Sequence, residues 1–208
     1  MRYIYIKRIF DLIILVLFSP VIVFTFIVLS ALIVFFLGKP VFFLQSRIGY
    51  KGKEFKIIKF RSMKNTRDVH GNLLADEFRL TKFGKFLRNS SLDEIPCLIN
   101  VFLGQMTLVG PRPFISKYRN LYSKEQFRRH DVTPGITGWA QVNGRNAISW
   151  EEKFRFDLEY VRRQSFMLDL MIFWMTFLNV IKRKDISADG HATMEEFKGT
   201  MATQNKIN

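Results

Sequence analysis

Two carboxylates stand side by side in Ser91-Leu92-Asp93-Glu94-Ile95-Pro96, and a proline-flanked arginine follows in Val109-Gly110-Pro111-Arg112-Pro113. Pro96 suits a first helical turn, where its missing N–H costs nothing, and Gly104 suits a helix end. The spacing therefore predicts a helix that starts near Leu92 or Asp93 and closes at Gly104. At such an N-terminus the helix dipole and the free N–H groups favour an ionised carboxylate and draw phosphate to the same place. Neighbouring residues diverge by about 100° on a helix, so Asp93 and Glu94 do not share one proton. An ionised Asp93 can attack phosphorus to give an acyl phosphate, dividing a difficult transfer into two steps. Glu94 can hold Mg2+ against diphosphate oxygens or assist proton movement. Developing charge needs fixed cations nearby, and Lys59, Arg61, Arg88, Arg112 and Arg145 are the candidates.

Each of these features also has a plainer reading. Ser91 with Glu94 is a capping-box pattern, which is usually structural. The Val-Gly-Pro-Arg-Pro run taken alone is a rigid turn. Trp139 with Gln141, Asn143 and Arg145 could equally be a packed loop, although Gly138 and Gly144 permit close approach to a ligand. The chain has no P-loop, dinucleotide-binding glycine motif, nucleophile elbow or zinc signature. Its histidines, His70, His130 and His191, are too scattered for a metal site. Cys97 is the single cysteine, which excludes an internal disulfide and fits a reducing compartment. It lies in an apolar helical run, where packing is its expected role.

The elements that must position these residues begin with an apolar segment. Residues 12–37 carry no charge, and as a straight helix they would extend roughly 39 Å, more than a hydrocarbon core of roughly 30 Å. Basic residues flank both ends: Arg2, Lys7 and Arg8 before, Lys39, Arg47, Lys51 and Lys53 after. The positive-inside rule then puts both ends in the cytoplasm, which a single span cannot satisfy. Ser19-Pro20 breaks the segment near its middle. The pattern predicts a re-entrant hairpin, with helices over 4–18 and 20–37, that enters and leaves on the cytoplasmic face.

Beyond it, 41–45 and 55–60 are β-prone runs around a glycine-bearing turn, which predicts a β-hairpin. A polar loop over 65–76, a basic helix over 79–88 and a turn-rich stretch over 133–139 follow. Ser149-Trp150-Glu151-Glu152 reads as a helix start, and helical pattern continues to about 184 with a break near Ser165. Residues 166–181 are too short to span but rich in aromatics, which suits a buried or interface-lying helix. The expected fold is α+β, mainly helical: a monotopic membrane protein with a re-entrant helix over 1–38, a catalytic domain over 39–185 and a polar tail over 186–208.

The chain of 208 residues carries 32 Lys and Arg against 18 Asp and Glu, a net +14. Residues 39–88 alone hold 13 basic and 4 acidic residues, directly after the apolar segment. Such charge suits a polyanionic partner: a phospholipid surface, phosphorylated small molecules or nucleic acid. Two alternatives to an enzyme follow. A non-catalytic monotopic scaffold would bind anionic lipid and lose nothing measurable on Asp93→Asn. A membrane-tethered nucleic-acid binder would bind random oligonucleotides in a salt-sensitive way. Neither explains why carboxylates adjoin a proline-fixed arginine.

Several motifs together carry a resemblance. They are Lys7-Arg8-Ile9-Phe10-Asp11, Ser19-Pro20, Lys59-Phe60-Arg61-Ser62-Met63, the Asp93-Glu94 and Arg112 motifs, and the stretch from Pro134-Gly135-Ile136-Thr137-Gly138-Trp139 to Asn143-Gly144-Arg145. In this order they cover nearly the whole chain, which resembles the small monotopic phosphoglycosyl transferases, the bacterial sugar-transferase family. The resemblance implies transfer of a sugar phosphate from a UDP-sugar to polyprenyl phosphate, in particular undecaprenyl phosphate, with release of UMP. It implies Asp93 as a nucleophile that forms a covalent phosphosugar intermediate, assisted by Glu94 with Mg2+. Arg88, Arg112 and Arg145 are then expected near phosphates and nucleotide, with Lys59 a weaker candidate. A re-entrant helix broken at Ser19-Pro20 is implied as well, on the cytoplasmic face of the bacterial inner membrane, with no nucleic-acid partner. Asn143 to Trp150 and the tail around His191-Ala192-Thr193 resemble the diacetylbacillosamine-phosphate transferase type, which implies an N-acetylated sugar. Gln105 stands where the family usually has an acidic residue, which puts any metal role there in doubt. Cys97 stands where it often has glutamine.

Overall fold

The first element is a helix of 36 residues, α1 (Arg2–Leu37), in a computed structural model that describes residues 2–144, 147–182 and 196–199. Arg145 and most of the expected tail, including His191, lie outside the described residues. Helical order in α1 continues through Pro20, so the predicted stop at Phe18 and restart at Pro20 do not occur. The local chemistry explains the continuity. Pro20 has no N–H to give the Val16 carbonyl, and the Ser19 hydroxyl donates to that carbonyl instead, at 2.8 Å. Among the described residues, α1 is the one helix long and apolar enough to cross a membrane.

Both ends of α1 are fastened to the rest of the chain. Near its start Lys7 pairs with Asp169 and donates to the Tyr160 hydroxyl at 3.0 Å. Arg8 donates to the carbonyls of Val101 and Phe102, and the buried Asp11 accepts from the Thr107 hydroxyl and the Leu108 N–H. Near its end Leu29, Ile33 and Leu37 are buried with Phe60 and Leu87. Between these contacts the surface is apolar and exposed, with Val16, Leu17, Phe24 and Ile27 all more than half accessible.

Strands β1 (Phe42–Ile48) and β2 (Glu54–Phe60) form the expected antiparallel hairpin, with Phe42 opposite Phe60 and Ile48 opposite Glu54. The single helix expected over 79–88 is divided into α2 (Asp76–Arg79) and α3 (Lys82–Asn89), because the Thr81 hydroxyl accepts from the Gly84 N–H and caps a new start. Then come a 3-10 turn (Leu92–Glu94), the short α4 (Cys97–Phe102), β3 (Thr107–Val109) and α5 (Lys124–Phe127). After β4 (Gly135–Thr137), α6 (Trp139–Val142) leads to α7 (Trp150–Arg163) and α8 (Phe166–Lys182). Helix α7 starts where expected, and Ser149 and Glu152 close a capping box there. The architecture is mainly helical α+β.

The parallel pairing of β3 with β4 was not expected from the sequence. It requires two loops to cross with no side chain between them. A Cβ on Gly135 would lie 2.1 Å from the Gly110 nitrogen, and one on Gly138 would lie 2.2 Å from the Gly110 oxygen. The freedom of Gly138 therefore serves the approach of one backbone to another, not of a ligand. The main core gathers here, with Val101, Met106, Leu108, Val109, Tyr160 and Ile172 buried together. Helix α8 is two-faced: Ile172 is fully buried, while Phe166, Met167, Trp174 and Phe177 are exposed.

Gly135→Ala forces a methyl group into this crossing, a cost on the order of 3 kcal/mol. A melting temperature roughly 6–12 °C lower, read by scanning fluorimetry in detergent, is the expected outcome. An unchanged transition would mean that the crossing yields easily.

Candidate active site

The dyad sits in the 3-10 turn, ahead of α4 and not within its first turn. Ser91 precedes it in the left-handed region at φ 56°, a conformation that costs a non-glycine residue roughly 1–2 kcal/mol. In that conformation Ser91 makes no side-chain cap, so the capping-box reading of Ser91 and Glu94 is not realised. The Glu94 side chain turns to two distant cations instead. Lys59 donates to its Oε1 at 2.6 Å, and Arg112 grips both oxygens, at 3.2 Å to Oε2 and more closely to Oε1.

The two adjacent carboxylates consequently differ. Burial works to raise Glu94, but the charges and hydrogen bonds of Arg112 and Lys59 outweigh it and hold Glu94 well below the usual range. Glu94 in turn raises Arg112. Burial, and then the charge of Glu94, push Asp93 up to about 6 against the pull of Lys59, Arg112 and Arg88. Among the described residues no donor bonds the Asp93 carboxylate. One carboxylate is thus spent on cations while its neighbour is left unbonded.

Each cation is held by the element that bears it. Lys59 lies on β2, which Asn100 of α4 fastens: its Oδ1 accepts from the Ile58 N–H at 3.0 Å, and its Nδ2 donates to the Lys56 carbonyl at 2.9 Å. The Cys97 thiol donates to the Ile58 carbonyl at 3.2 Å, and burial pushes it up to about 12, which fits the packing role read from sequence. Gln105 accepts from Asn100 at 2.7 Å and so belongs to the same brace. Arg112 sits between two prolines, and Arg129 donates to its carbonyl at 2.6 Å. Arg129 is itself buried, stacked 3.8 Å from the Phe114 ring centre and bound twice to Asp157, at 2.9 and 2.6 Å. On the other side Arg47 donates to the Pro113 carbonyl at 3.0 Å.

Of the candidate residues, the structure brings together Asp93, Glu94, Lys59 and Arg112. Arg88 is beside them, donating to the Ser62 hydroxyl at 2.9 Å and acting on Asp93 through its charge. Arg61 goes elsewhere: it is buried, and its guanidinium donates to the carbonyls of Leu37, Gly38 and, at 3.0 Å, Lys39, closing the end of α1. Arg145 lies outside the described residues. Arg129, Asp157 and Asn100 were not found from sequence. A polar residue on the apolar face of a helical run, such as Asp157 one turn before Tyr160, is the signal that points to them.

A cavity of about 330 Å³ opens beside the dyad. Arg88, Ser91, Glu94 and Arg112 line it, with Trp150, Lys153 and Asp157 from α7, residues of β4 and α6, and Thr176 and Asn179 from α8. Fixed cations in a cavity of this size can bind a phosphorylated ligand; Asp93 adjoins Glu94 in the chain but does not itself line the cavity.

The Arg129–Asp157 pair allows a direct check of the brace behind Arg112. Asp157→Asn leaves a buried guanidinium without its counter-charge and should destabilise the fold by about 3–5 kcal/mol. Arg129→Met with Asp157→Leu should recover most of that stability in detergent melts. If the single variant melted like the wild type, the pair would not be holding this wall.

The pattern of the bacterial sugar transferase family matches residues 2–183. The chain is 50% identical over 198 residues to the uncharacterized sugar transferase EpsL of Bacillus subtilis (strain 168), covering 93% of this chain and 96% of that protein. It is 44% identical over 157 residues to the UDP-glucose:undecaprenyl-phosphate glucose-1-phosphate transferase of Xanthomonas campestris pv. campestris, covering 70% of this chain and 32% of that protein. It is 36% identical over 191 residues to the UDP-N-acetylgalactosamine-undecaprenyl-phosphate N-acetylgalactosaminephosphotransferase of Aeromonas hydrophila, covering 86% of this chain and 44% of that protein. The chain thus spans nearly all of the first relative and less than half of the other two. A match along 2–183 that runs through the dyad, its two cations and their braces makes the chain an enzyme, a member of the bacterial sugar transferase family.

Proposed function

We propose that the chain transfers a sugar phosphate from a UDP-sugar to polyprenyl phosphate, of the undecaprenyl type, through a covalent intermediate on Asp93. The observation that carries the reading is the contrast within the dyad, where Glu94 is clamped by Lys59 and Arg112 while Asp93 is unbonded and poised near neutrality. The activities named for the Xanthomonas and Aeromonas relatives support the donor and acceptor classes.

In the first step an Asp93 oxygen attacks the sugar-bearing phosphorus. The bond from that phosphorus to the bridging oxygen breaks, and its electron pair leaves with UMP. In the second step a phosphate oxygen of the lipid attacks the same phosphorus, and the bond to Asp93 breaks to restore the carboxylate. Lys59 and Arg112 keep Glu94 ionised in place and Arg112 faces the phosphates, while Arg88 adds positive charge beside Asp93. No cluster of three metal-ligating side chains occurs among the described residues, but Mg2+ commonly uses one or two carboxylates together with substrate phosphates. Asp93, with unbonded oxygens, fits that donor set, whereas both Glu94 oxygens are already bonded to Arg112 and Lys59, so Asp93 would be the carboxylate that holds it. Bound there, Mg2+ would neutralise charge on the diphosphate.

The finer readings follow the same line. An N-acetylated donor is supported by the Aeromonas relative and by the likeness of Asn143 to Trp150 to the diacetylbacillosamine type. A re-entrant course for α1 is supported by its contacts: Lys7, Arg8 and Asp11 at one end and Leu29 to Leu37 at the other pack on the same domain. A helix crossing perpendicular to the bilayer would leave one end on the far side.

The solubilised protein, given Mg2+, polyprenyl phosphate and a panel of UDP-sugars, should release UMP with one of them and lose that release in Asp93→Asn. UMP from the variant at the wild-type rate would end the covalent reading. Because burial and Glu94 raise Asp93 to about 6, acid protonates the nucleophile, and the rate should drop about tenfold per unit below that pH. A rate constant down to pH 4.5 would contradict it. Labelling of cysteines introduced at positions 2 and 39 should reach both from the cytoplasmic side, and a periplasmic position 2 would exclude the re-entrant course.

A further inference from the structure

The loop that carries Arg112 is gripped from two sides by guanidinium groups. Arg129 donates to the Arg112 carbonyl at 2.6 Å, and Arg47 donates to the next carbonyl, that of Pro113, at 3.0 Å. The two cations are otherwise unalike. Arg129 is matched by Asp157, and both are buried. Arg47 makes its other bond to a neutral group, the Gln45 Oε1 at 2.6 Å, and its Nε is buried without an acceptor among the described residues. No carboxylate among those residues pairs with it. The charge of Glu94 reaches Arg47, but both Glu94 oxygens are taken by Lys59 and Arg112. Burial, and then the like charge of Arg112, lower Arg47 to about 10, so it stays a cation at neutral pH.

Backbone pairing sets this position. Strand β1 runs beside the loop after Arg112: the Ile48 N–H donates to the Phe114 carbonyl at 3.0 Å, and Arg47 itself bridges to Ile115. A fold served only by the grip on Pro113 would gain from a counter-charge, because a half-buried cation without one is destabilising. Position 45 offers the place for it. A glutamate there has the length of Gln45 and would set a carboxylate oxygen where the amide oxygen now meets the guanidinium. With Gln45 instead, the charge of Arg47 is left to act through its neighbour Arg112, which lines the cavity. We infer that Arg47 is a positioning residue for the diphosphate of the donor: it fixes the Arg112 loop through Pro113 and adds a charge that the protein leaves unmatched until phosphate oxygens enter. The assignment rests on the transfer reading above.

Gln45→Glu tests this without removing Arg47, since the new carboxylate pairs with the guanidinium and leaves the grip on Pro113 in place. A purely structural Arg47 predicts a variant that melts at or above the wild-type temperature and binds nucleotide as before. The positioning role predicts the same melting but weaker binding. The dissociation constant for UDP, read by titration calorimetry in detergent, should rise about five- to tenfold, and KM for the UDP-sugar should rise in parallel with kcat within about threefold. Arg47→Lys, which keeps the charge, should bind UDP within about threefold of wild type, whereas Arg47→Gln should weaken it at least about tenfold. Unchanged UDP affinity in a folded Gln45→Glu overturns the inference. Equal losses in folded Arg47→Lys and Arg47→Gln also overturn it, as does a wild type that binds no UDP. Calorimetry with UDP needs no turnover, so failure of the wild type to release UMP from any UDP-sugar overturns the transfer reading instead.

Discussion

The grip of Lys59 and Arg112 on Glu94 is the interaction on which the rest of the site depends. Its members come from a strand, a 3-10 turn and a proline-flanked loop, separated by 35 and 18 residues. A carboxylate with little solvent needs both cations, because desolvation alone would protonate it. The cations in turn must be held where Glu94 can meet them. Asn100 ties β2 to α4 for Lys59, and Arg129 with Asp157 stands behind Arg112. Buried ion pairs of this kind add little net stability compared with apolar packing of the same volume. Their arrangement makes physical sense as the means of keeping one carboxylate charged and fixed while the next stays unbonded.

The charge on the dyad is therefore supported by side chains and not by a helix dipole. From sequence, Asp93 and Glu94 belonged to the first turn of a helix running to Gly104. The observed α4 begins at Cys97 and has six residues, so it offers the dyad neither a first turn nor a long dipole. The difference matters for reactivity. A dipole would lower both carboxylates alike, whereas two cations bonded to Glu94 lower that residue and leave Asp93 raised by burial and by its neighbour. Two roles for two adjacent residues follow from which one the cations touch.

Features governed by neighbours in sequence were legible. The Ser149–Glu152 capping box, the β1–β2 hairpin, the break near Ser165 and the apolar run of α1 formed close to where local pattern put them. Ser91–Glu94 has the same local pattern as Ser149–Glu152 and behaves otherwise, because its glutamate finds Lys59 and Arg112 at long range. Arg61 and Arg112 are both candidate phosphate-binding cations in sequence. Only tertiary placement sends Arg61 to the end of α1 and Arg112 to Glu94. Lys7 and Arg8 read as charge flanking a membrane segment, yet they bond to Asp169 and to the carbonyls that end α4. The pairing of β3 with β4 was hidden because strands of three residues leave almost no periodic signal.

The bonds of Lys7, Arg8 and Asp11 also change the argument for how α1 meets a membrane. Charge engaged inside the protein cannot be counted in full toward headgroups, so the flank rule loses weight at that end. The contacts replace it with a stronger constraint. Both ends of α1 are attached to one folded unit, and a stretch of exposed apolar surface lies between them. Under the proposed re-entrant course that surface would lie in lipid with both ends on one side, which a bend at Ser19-Pro20 or a shallow course along the interface would satisfy. The exposed face of α8 adds Phe166, Met167, Trp174 and Phe177, while its Thr176 and Asn179 line the cavity. One helix thus carries both an exposed apolar face and part of the cavity wall, the arrangement that the proposed transfer to a lipid phosphate calls for.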